Sequence, residues 1–330
     1  MTLELPVTAD HFIEESMSPI DGELSVEKRV VTAWIGIDLS MLGAMPSEIL
    51  DEYGHDVAVD HVNFPRLASS VKAALEGGLD FITLDRSFHT SSDQQHDRAL
   101  DGVKAAAKLM SVVSGGVSVE VPPLLKFVEA GTQALAGEYE RCCALELLVN
   151  ANSDFTELAK MTKSASEAGV KVVAITDDPA FALGHAKEIV AFADIVRIKT
   201  TEPLAAQKLR AQLHEQAAKK QREVLVFVDL GIVISASRQA AQERAVLIAD
   251  INHKPLFDGI SSVTGTVYDV ADAIESWVVT GAADGIVFVP ASLPTDLASV
   301  LRGVLPLMKE RTKMEDELPK LSNFHTFDEQ

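Results

Sequence analysis

The chain is poor in aromatic residues (5%) and has only two cysteines among 330 residues. Those two, Cys142 and Cys143, are adjacent, a spacing that fits neither a disulfide framework nor a zinc site. Basic residues are scarce as well: 29 Lys and Arg stand against 49 Asp and Glu, for a formal net charge of −20. That balance excludes binding to a phosphate backbone, which needs clustered cations. No apolar run approaches the ~20 residues of a membrane span. The opening residues MTLELPVTADHFIEES carry neither a basic n-region nor an apolar h-region. The expected setting is therefore a reducing cytoplasm, with no nucleic-acid or membrane partner, and the acidic surplus reads as a solubility device.

What is present is aliphatic. Hydrophobic residues make up 47% of the chain, enough for a sizeable core, and 330 residues suit two average domains or one large α/β barrel. Near the C-terminus, Val267, Val270, Ala271, Ile274, Trp277 and Val278 recur at helical spacing. Thr266 and Asp269 resemble a capping box at the helix start, and Gly281 suits the left-handed position after its end. GIVFVP (Gly285 to Pro290) follows without polar alternation, as a strand covered on both faces does. The same joint recurs along the chain. Strand candidates are Val31–Leu39, Phe81–Leu84, Gly116–Val121, Ala144–Val149, Val170–Thr176, Ile195–Lys199, Val224–Val233 and Gly285–Val289. Helical patterns lie between most of them, including FPRLASSVKAALEGG, SDFTELAKMTKSASEAG and PAFALGHAKEIVAFA.

Regular alternation of strand and helix predicts a parallel sheet, and eight units favour closure into a (β/α)8 TIM barrel. An open doubly wound sheet is the alternative. Against it, WIGIDLSMLGAM after the first strand lacks a GxGxxG fingerprint. The expected organisation is a single barrel domain over 1–330, with 1–29 and 311–330 as peripheral extensions.

In a barrel, ligands bind at the C-terminal ends of the strands. The residues there are Asp38, Asp85, Arg86, His89, Glu120, Asn150, Asn152, Thr176, Asp177, Asp178, Lys199, Asp229 and Ser292. Close carboxylates in such a mouth raise one another's pKa, a route to acid–base chemistry, while the plain alternative is solvated loop residues and helix caps. Asp229 interrupts a strong strand and demands either a buried partner or a ligand. The cluster FHTSSDQQHD, with His89, Asp93, His96 and Asp97, has no metal-ligand spacing and reads as a polar loop. No Ser or Cys lies in a nucleophile-elbow context.

The stretch from Ser261 to Met308 resembles the C-terminal region of the bacterial luciferase-like flavin monooxygenases, in the nitrilotriacetate and dibenzothiophene-sulfone monooxygenase branch. Gly265, Thr266, Val270, Ala271, Asp272, Ile274, Glu275, Trp277 and Gly281 to Gly285 carry the match. Weaker echoes occur in order at VNFPRLASSVKAALEGGLDFITLDRS, LDGVKAAAKL, AKEIVAFADIV and VLVFVDLGIVISASRQAAQERA. The resemblance implies a luciferase-like (β/α)8 barrel that binds reduced FMN, resident or as a diffusible co-substrate, or a deazaflavin. It also implies O2-dependent oxygenation of a small organic substrate, pairing as a homodimer or with a homologue, and supply by a flavin reductase.

Carried over position by position, the resemblance keeps Asp85; on the flavin reading Asp85, Asn150 and Thr176 are the expected cofactor-side residues, with His89 the only nearby candidate proton donor and no metal. Elsewhere the mouth departs from the family pattern. Glu146 stands for an Asn, and Val149 and Asn150 for Thr and Ser. Where relatives hold the flavin phosphate this chain has Thr176, Asp177 and Asp178, whose carboxylates repel a dianion unless turned away. The long insertion after the fourth strand is replaced by a single short helix between Asn150 and Val170. These departures leave two alternatives: a barrel that has lost its flavin and serves as a binding or partner subunit, and a barrel enzyme of another class using its acidic mouth for acid–base or metal chemistry.

Overall fold

The computed structural model describes residues 3–7, 29–44, 61–93, 98–137 and 143–317. Among the described residues there are ten strands: β1 (Leu3–Val7), β2 (Arg29–Asp38), β3 (Phe81–Leu84), β4 (Gly116–Glu120), β5 (Cys143–Leu148), β6 (Lys171–Thr176), β7 (Ile195–Ile198), β8 (Leu225–Ile234), β9 (Ser261–Gly265) and β10 (Gly285–Pro290). Eight of them, β2 to β8 and β10, pair in parallel, and contacts of β2 with both β3 and β10 close the ring. This is a (β/α)8 barrel. All eight strands predicted from sequence are in it, each within two residues at either end. Two further strands were not foreseen. β1 adds antiparallel to the N-terminal half of β2 within the segment expected to be a peripheral extension. The Ser- and Thr-rich β9 runs parallel to the upper half of β8, above the barrel wall. The other peripheral stretches, 8–28 and 318–330, lie outside the described residues.

The barrel has two cores because strand side chains alternate between its faces. Ile35, Ile37, Ile82, Leu84, Val117, Val119, Val172, Val196, Val228, Ile286 and Phe288 face outward and pack beneath the helices in one large cluster. Inside, Ala144, Val173 and Ile175 form a small separate cluster flanked by Leu148 and Ile195. Toward the C-terminal ends of the strands the inward positions carry polar residues, which is where the site begins.

Helix ends follow the sequence signals. Thr266 and Asp269 close a reciprocal capping box on helix Val267–Val279, satisfying two amides that would otherwise be orphaned. Gly281 has φ of 71°, a left-handed value that costs a residue with a Cβ more than glycine. The segments 153–169 and 179–193 each hold two helices instead of one. Thr162, whose hydroxyl donates to the Leu158 carbonyl at 2.7 Å, divides the first. His185, at φ −117°, divides the second. Helix Leu125–Leu135 was not picked out from sequence. Its buried face mixes Val128 and Leu135 with Gly131 and Thr132, while Leu124 and Leu125 at its start are exposed, so no apolar stripe shows.

An aspartate immediately precedes three of the strands and ties each to a neighbour. Asp80, Asp194 and Asp284 each donate a backbone N–H to Ile35, Val172 and Val226, at 2.9, 2.8 and 2.7 Å. Each carboxylate accepts the N–H of the same residue, at 2.9, 2.9 and 2.8 Å. Two bonds per joint set the register at the N-terminal end of the barrel. Asp284 also holds Arg210 at 2.6 Å and His214 at 3.0 Å. Burial pushes its carboxyl up, but these hydrogen bonds outweigh burial and leave it below the usual range.

Candidate functional site at the C-terminal mouth

Arg197 projects from β7 into the lumen and is 2% exposed. A guanidinium there demands counter-charge, and the strands across the barrel supply it. Its Nε and Nη2 donate to the two oxygens of Asp229 on β8, at 2.6 and 3.0 Å. Its Nη1 donates to Glu146 on β5 at 2.9 Å and to Thr83 on β3 at 3.0 Å, and Thr83 donates in turn to Glu146 at 3.1 Å. Asp38 on β2 lies 3.8 Å away. Five strands are thus cross-linked through one side chain. Burial alone would lower the pKa of Arg197, but Asp229 and Glu146 outweigh it and hold the guanidinium charged. The question raised by Asp229 is answered by a bidentate partner. Arg197 was missed in the sequence, although a charge inside IVRI was as anomalous as Asp229, and the two anomalies explain each other.

Above the network, Ser40 links the Asp38 carboxylate to the backbone of Asp85. Its N–H donates to Asp38 at 2.7 Å, and its hydroxyl accepts the N–H of Asp85 at 2.7 Å. Burial, with the Asp85 charge nearby, pushes the Asp38 carboxyl up to about 7 against the pull of Arg197. Glu120 is likewise raised, by burial first and then by Glu146 and Asp85, with Lys199 opposing. The expected crowding of carboxylates therefore raises both groups, Asp38 to about 7.

Of the residues singled out from sequence, Asp85 and His89 share a cleft of about 160 Å³, bounded also by Arg86, Phe88, Arg98 and Glu120. His89 Nδ1 is buried without a hydrogen-bond partner among the described residues. Burial and Arg98 lower the pKa of His89, with Asp101 opposing, so its neutral ring is favoured. Asn150 and Thr176 lie elsewhere, at the ends of β5 and β6. Asn150 shapes its own turn: its N–H donates to Ser153 Oγ at 3.0 Å and its side chain accepts from Asn152 N–H at 2.9 Å. The buried Thr176 hydroxyl is engaged by the Asp178 backbone at 3.2 Å. Asp178 caps helix Pro179–Gly184 by accepting the Phe181 N–H at 2.9 Å, and Asp177 is exposed. Two short helices, not one, lead from Asn150 to Val170. Of the loop FHTSSDQQHD, residues 94–97 lie outside the described residues, and no metal-ligand cluster occurs among those described.

A second hollow edges the mouth beside β8 and β10, lined by Ser235, Arg244, Thr266, Tyr268, Thr295 and Ser299, with a volume of about 590 Å³. Arg244 bonds Ser292 Oγ at 2.6 Å and pairs with Asp296 at 2.8 Å.

The fold is that of the luciferase-like flavin monooxygenases. EDTA monooxygenase from Chelativorans sp. BNC1 superposes with a TM-score of 0.60 at 12% identity, covering 84% of this chain and 94% of that one. A riboflavin lyase, solved with modified FMN and riboflavin, gives 0.60 at 11% identity, covering 85% and 92%. The coenzyme F420-dependent tetrahydromethanopterin reductase of Methanopyrus kandleri gives 0.55 at 11% identity, covering 84% and 99%. No protein-family model matches the chain, and no curated protein matches it in sequence. The resemblance noted in the sequence is thus matched at the level of fold. No described helix is long and apolar enough to cross a membrane.

Proposed function

We propose that the protein is a flavin-dependent oxidoreductase of the luciferase-like monooxygenase type, acting on a small organic substrate at the C-terminal mouth. The observation that carries this reading is the Asp38–Ser40–Asp85 arrangement: a carboxyl that holds its proton near neutrality, at a strand end on the face where barrels place their chemistry. A bound reduced flavin, FMN or a deazaflavin, supplies the redox chemistry, with O2 as co-substrate for FMN. The protein's part is acid–base. Asp38, raised to about 7, gains and loses its proton near neutral pH, and His89 offers an unpartnered Nδ1 in the cleft it shares with Asp85. Asn150 and Thr176 act on the cofactor side by fixing the shape of their loops.

The phosphate end of a flavin does not fit the loop after β6, where Asp177 and Asp178 stand. It fits better among the hydroxyls of Ser235, Thr266, Thr295 and Ser299 around Arg244, in the sector after the last two barrel strands where such barrels often hold phosphate. The apolar Val246, Leu247 and Ile251, exposed on helix Arg238–Asn252, favour pairing as a homodimer or with a homologue. A separate reductase would deliver the reduced flavin. The acidic loop after β6 favours a second reading, a barrel that has lost its flavin and acts as a partner subunit. Fluorescence titration with oxidised FMN, then anaerobically with reduced FMN and with a deazaflavin, separates the two. Saturable binding of any one supports the first reading, and no binding of all three refutes it.

A further inference from the structure

Barrel lumens of this kind are ordinarily filled by layers of side chains. Here the half below the Arg197 network is not. A cavity of about 300 Å³ opens toward the N-terminal ends of the strands. Its walls are apolar, built from Trp34, Phe81, Ala144, Val173, Leu225 and Phe227. The reason lies in the inward positions. On one side Phe81 and Phe227 stack at 5.4 Å, over glycines that leave room for them: a Cβ on Gly36 would meet the Phe81 ring at 2.4 Å, and one on Gly285 would meet Phe227 at 2.9 Å. On the other side the small Ser118 and Ala144 leave the space open.

Lys171 and Glu223 line this space from exposed positions, and the more buried polar groups bordering it are almost all committed. Glu146 and Arg197 form its roof and bond each other at 2.9 Å. Asp80 and Asp194 at the entrance hold strand amides. Ser118 is the exception. It is 5% exposed, lines the cavity, and its hydroxyl has no hydrogen-bond partner among the described residues. A buried hydroxyl without a partner is costly, and apolar walls are poor hosts for water.

We propose that the N-terminal half of the lumen is a second binding site, for an uncharged, largely apolar small molecule with one hydroxyl or carbonyl that bonds Ser118. At ~30 Å³ per water the space equals roughly ten waters, which sets the ligand at roughly ten non-hydrogen atoms. In its buried part the space disfavours a charged ligand, because Arg197 and Glu146 already satisfy each other there, while the charged Lys171 and Glu223 that also line it are exposed. The site is separated from the mouth by the ion network and does not depend on the flavin reading.

The test uses 2-naphthol and naphthalene as probes of the full chain, by equilibrium dialysis. Saturable one-to-one binding of 2-naphthol, undisturbed by FMN, is expected. Ala144→Leu fills the space and should weaken both probes about tenfold or more. Ser118→Ala should leave naphthalene unchanged and weaken 2-naphthol about fivefold, the worth of one neutral hydrogen bond. The proposal is overturned by absence of saturable binding, by displacement with FMN, or by an Ala144→Leu protein that melts cooperatively and binds as before. If Ala144→Leu does not fold, Ser118→Ala decides alone: an equal effect on the two probes, or none, also overturns it.

Discussion

Replacing Arg197 with methionine removes the one cation that Asp229, Glu146 and Asp38 share inside the barrel, while keeping most of its apolar length. In the wild type the guanidinium makes four hydrogen bonds of 2.6 to 3.0 Å to Asp229, Glu146 and Thr83. Losing one member of a buried ion pair costs ~3–5 kcal/mol, because the remaining charge is left uncompensated. Here at least two carboxylates, each 2% exposed, lose their partner at once, so the upper part of that range applies. Set against a total stability of ~5–15 kcal/mol, the Arg197→Met protein should fold but be marginal. The sign of its pH dependence follows from the same geometry. Without Arg197, burial favours the protonated carboxyls, so their folded pKa values rise above the unfolded values of ~4. The folded chain then binds more protons than the unfolded one above that pH, and the stability of the variant increases as pH falls from 8 toward 5. Urea denaturation at pH 8 and pH 5.5 reads both quantities. A loss of about 4 kcal/mol at pH 8 that shrinks by ~1 kcal/mol or more at pH 5.5 is expected. A loss below ~1 kcal/mol at pH 8, or one independent of pH, would refute the network as described.

Three further perturbations test other parts of the structure. Asp38→Asn keeps an acceptor for the Ser40 N–H but removes a carboxyl whose folded pKa is about 7. That raised value costs the wild type stability as pH climbs from about 4 to 7, so the variant should match wild type at pH 4 and exceed it by ~1–3 kcal/mol at pH 8, read by thermal melts. Asp284→Asn should lose about 2–3 kcal/mol at pH 6. Because this carboxyl lies below its ordinary range, its contribution is present above the unfolded pKa and lost as pH falls through the folded one, so the deficit should shrink as acid protonates Asp284. Thr266→Ala opens the capping box at the start of helix Val267–Val279 and should cost ~1 kcal/mol by urea denaturation.

The residues that carry the sequence resemblance are mostly structural in their contacts. Val270, Ala271, Ile274 and Trp277 are the buried face of a helix, and Thr266 is its cap. Asp272 and Glu275 bind Arg311, each at 2.9 Å. Gly281 is left-handed, Asp284 holds β8 through Val226, and Gly285 leaves space for Trp34 and Phe227. A motif built of caps, core and register is legible in sequence because each part obeys a local rule, and for the same reason it reports a barrel more directly than a reaction.

The order and type of the barrel elements belong to the sequence alone, since period, caps and terminating glycines act over a few residues. The list of mouth residues belongs to it too, because strand ends mark the mouth. What those residues do was decided by the tertiary structure. Arg197, Asp229, Glu146, Thr83 and Asp38 are scattered over 38 to 229 and meet only because closure of the ring turns their inward faces onto one layer. The proton held by Asp38, the unpartnered Nδ1 of His89, and the empty half of the lumen depend on burial and on distances between strands far apart in the chain. Long-range quantities of that kind have no signature in a single sequence, because any one residue is compatible with many neighbours until the barrel closes.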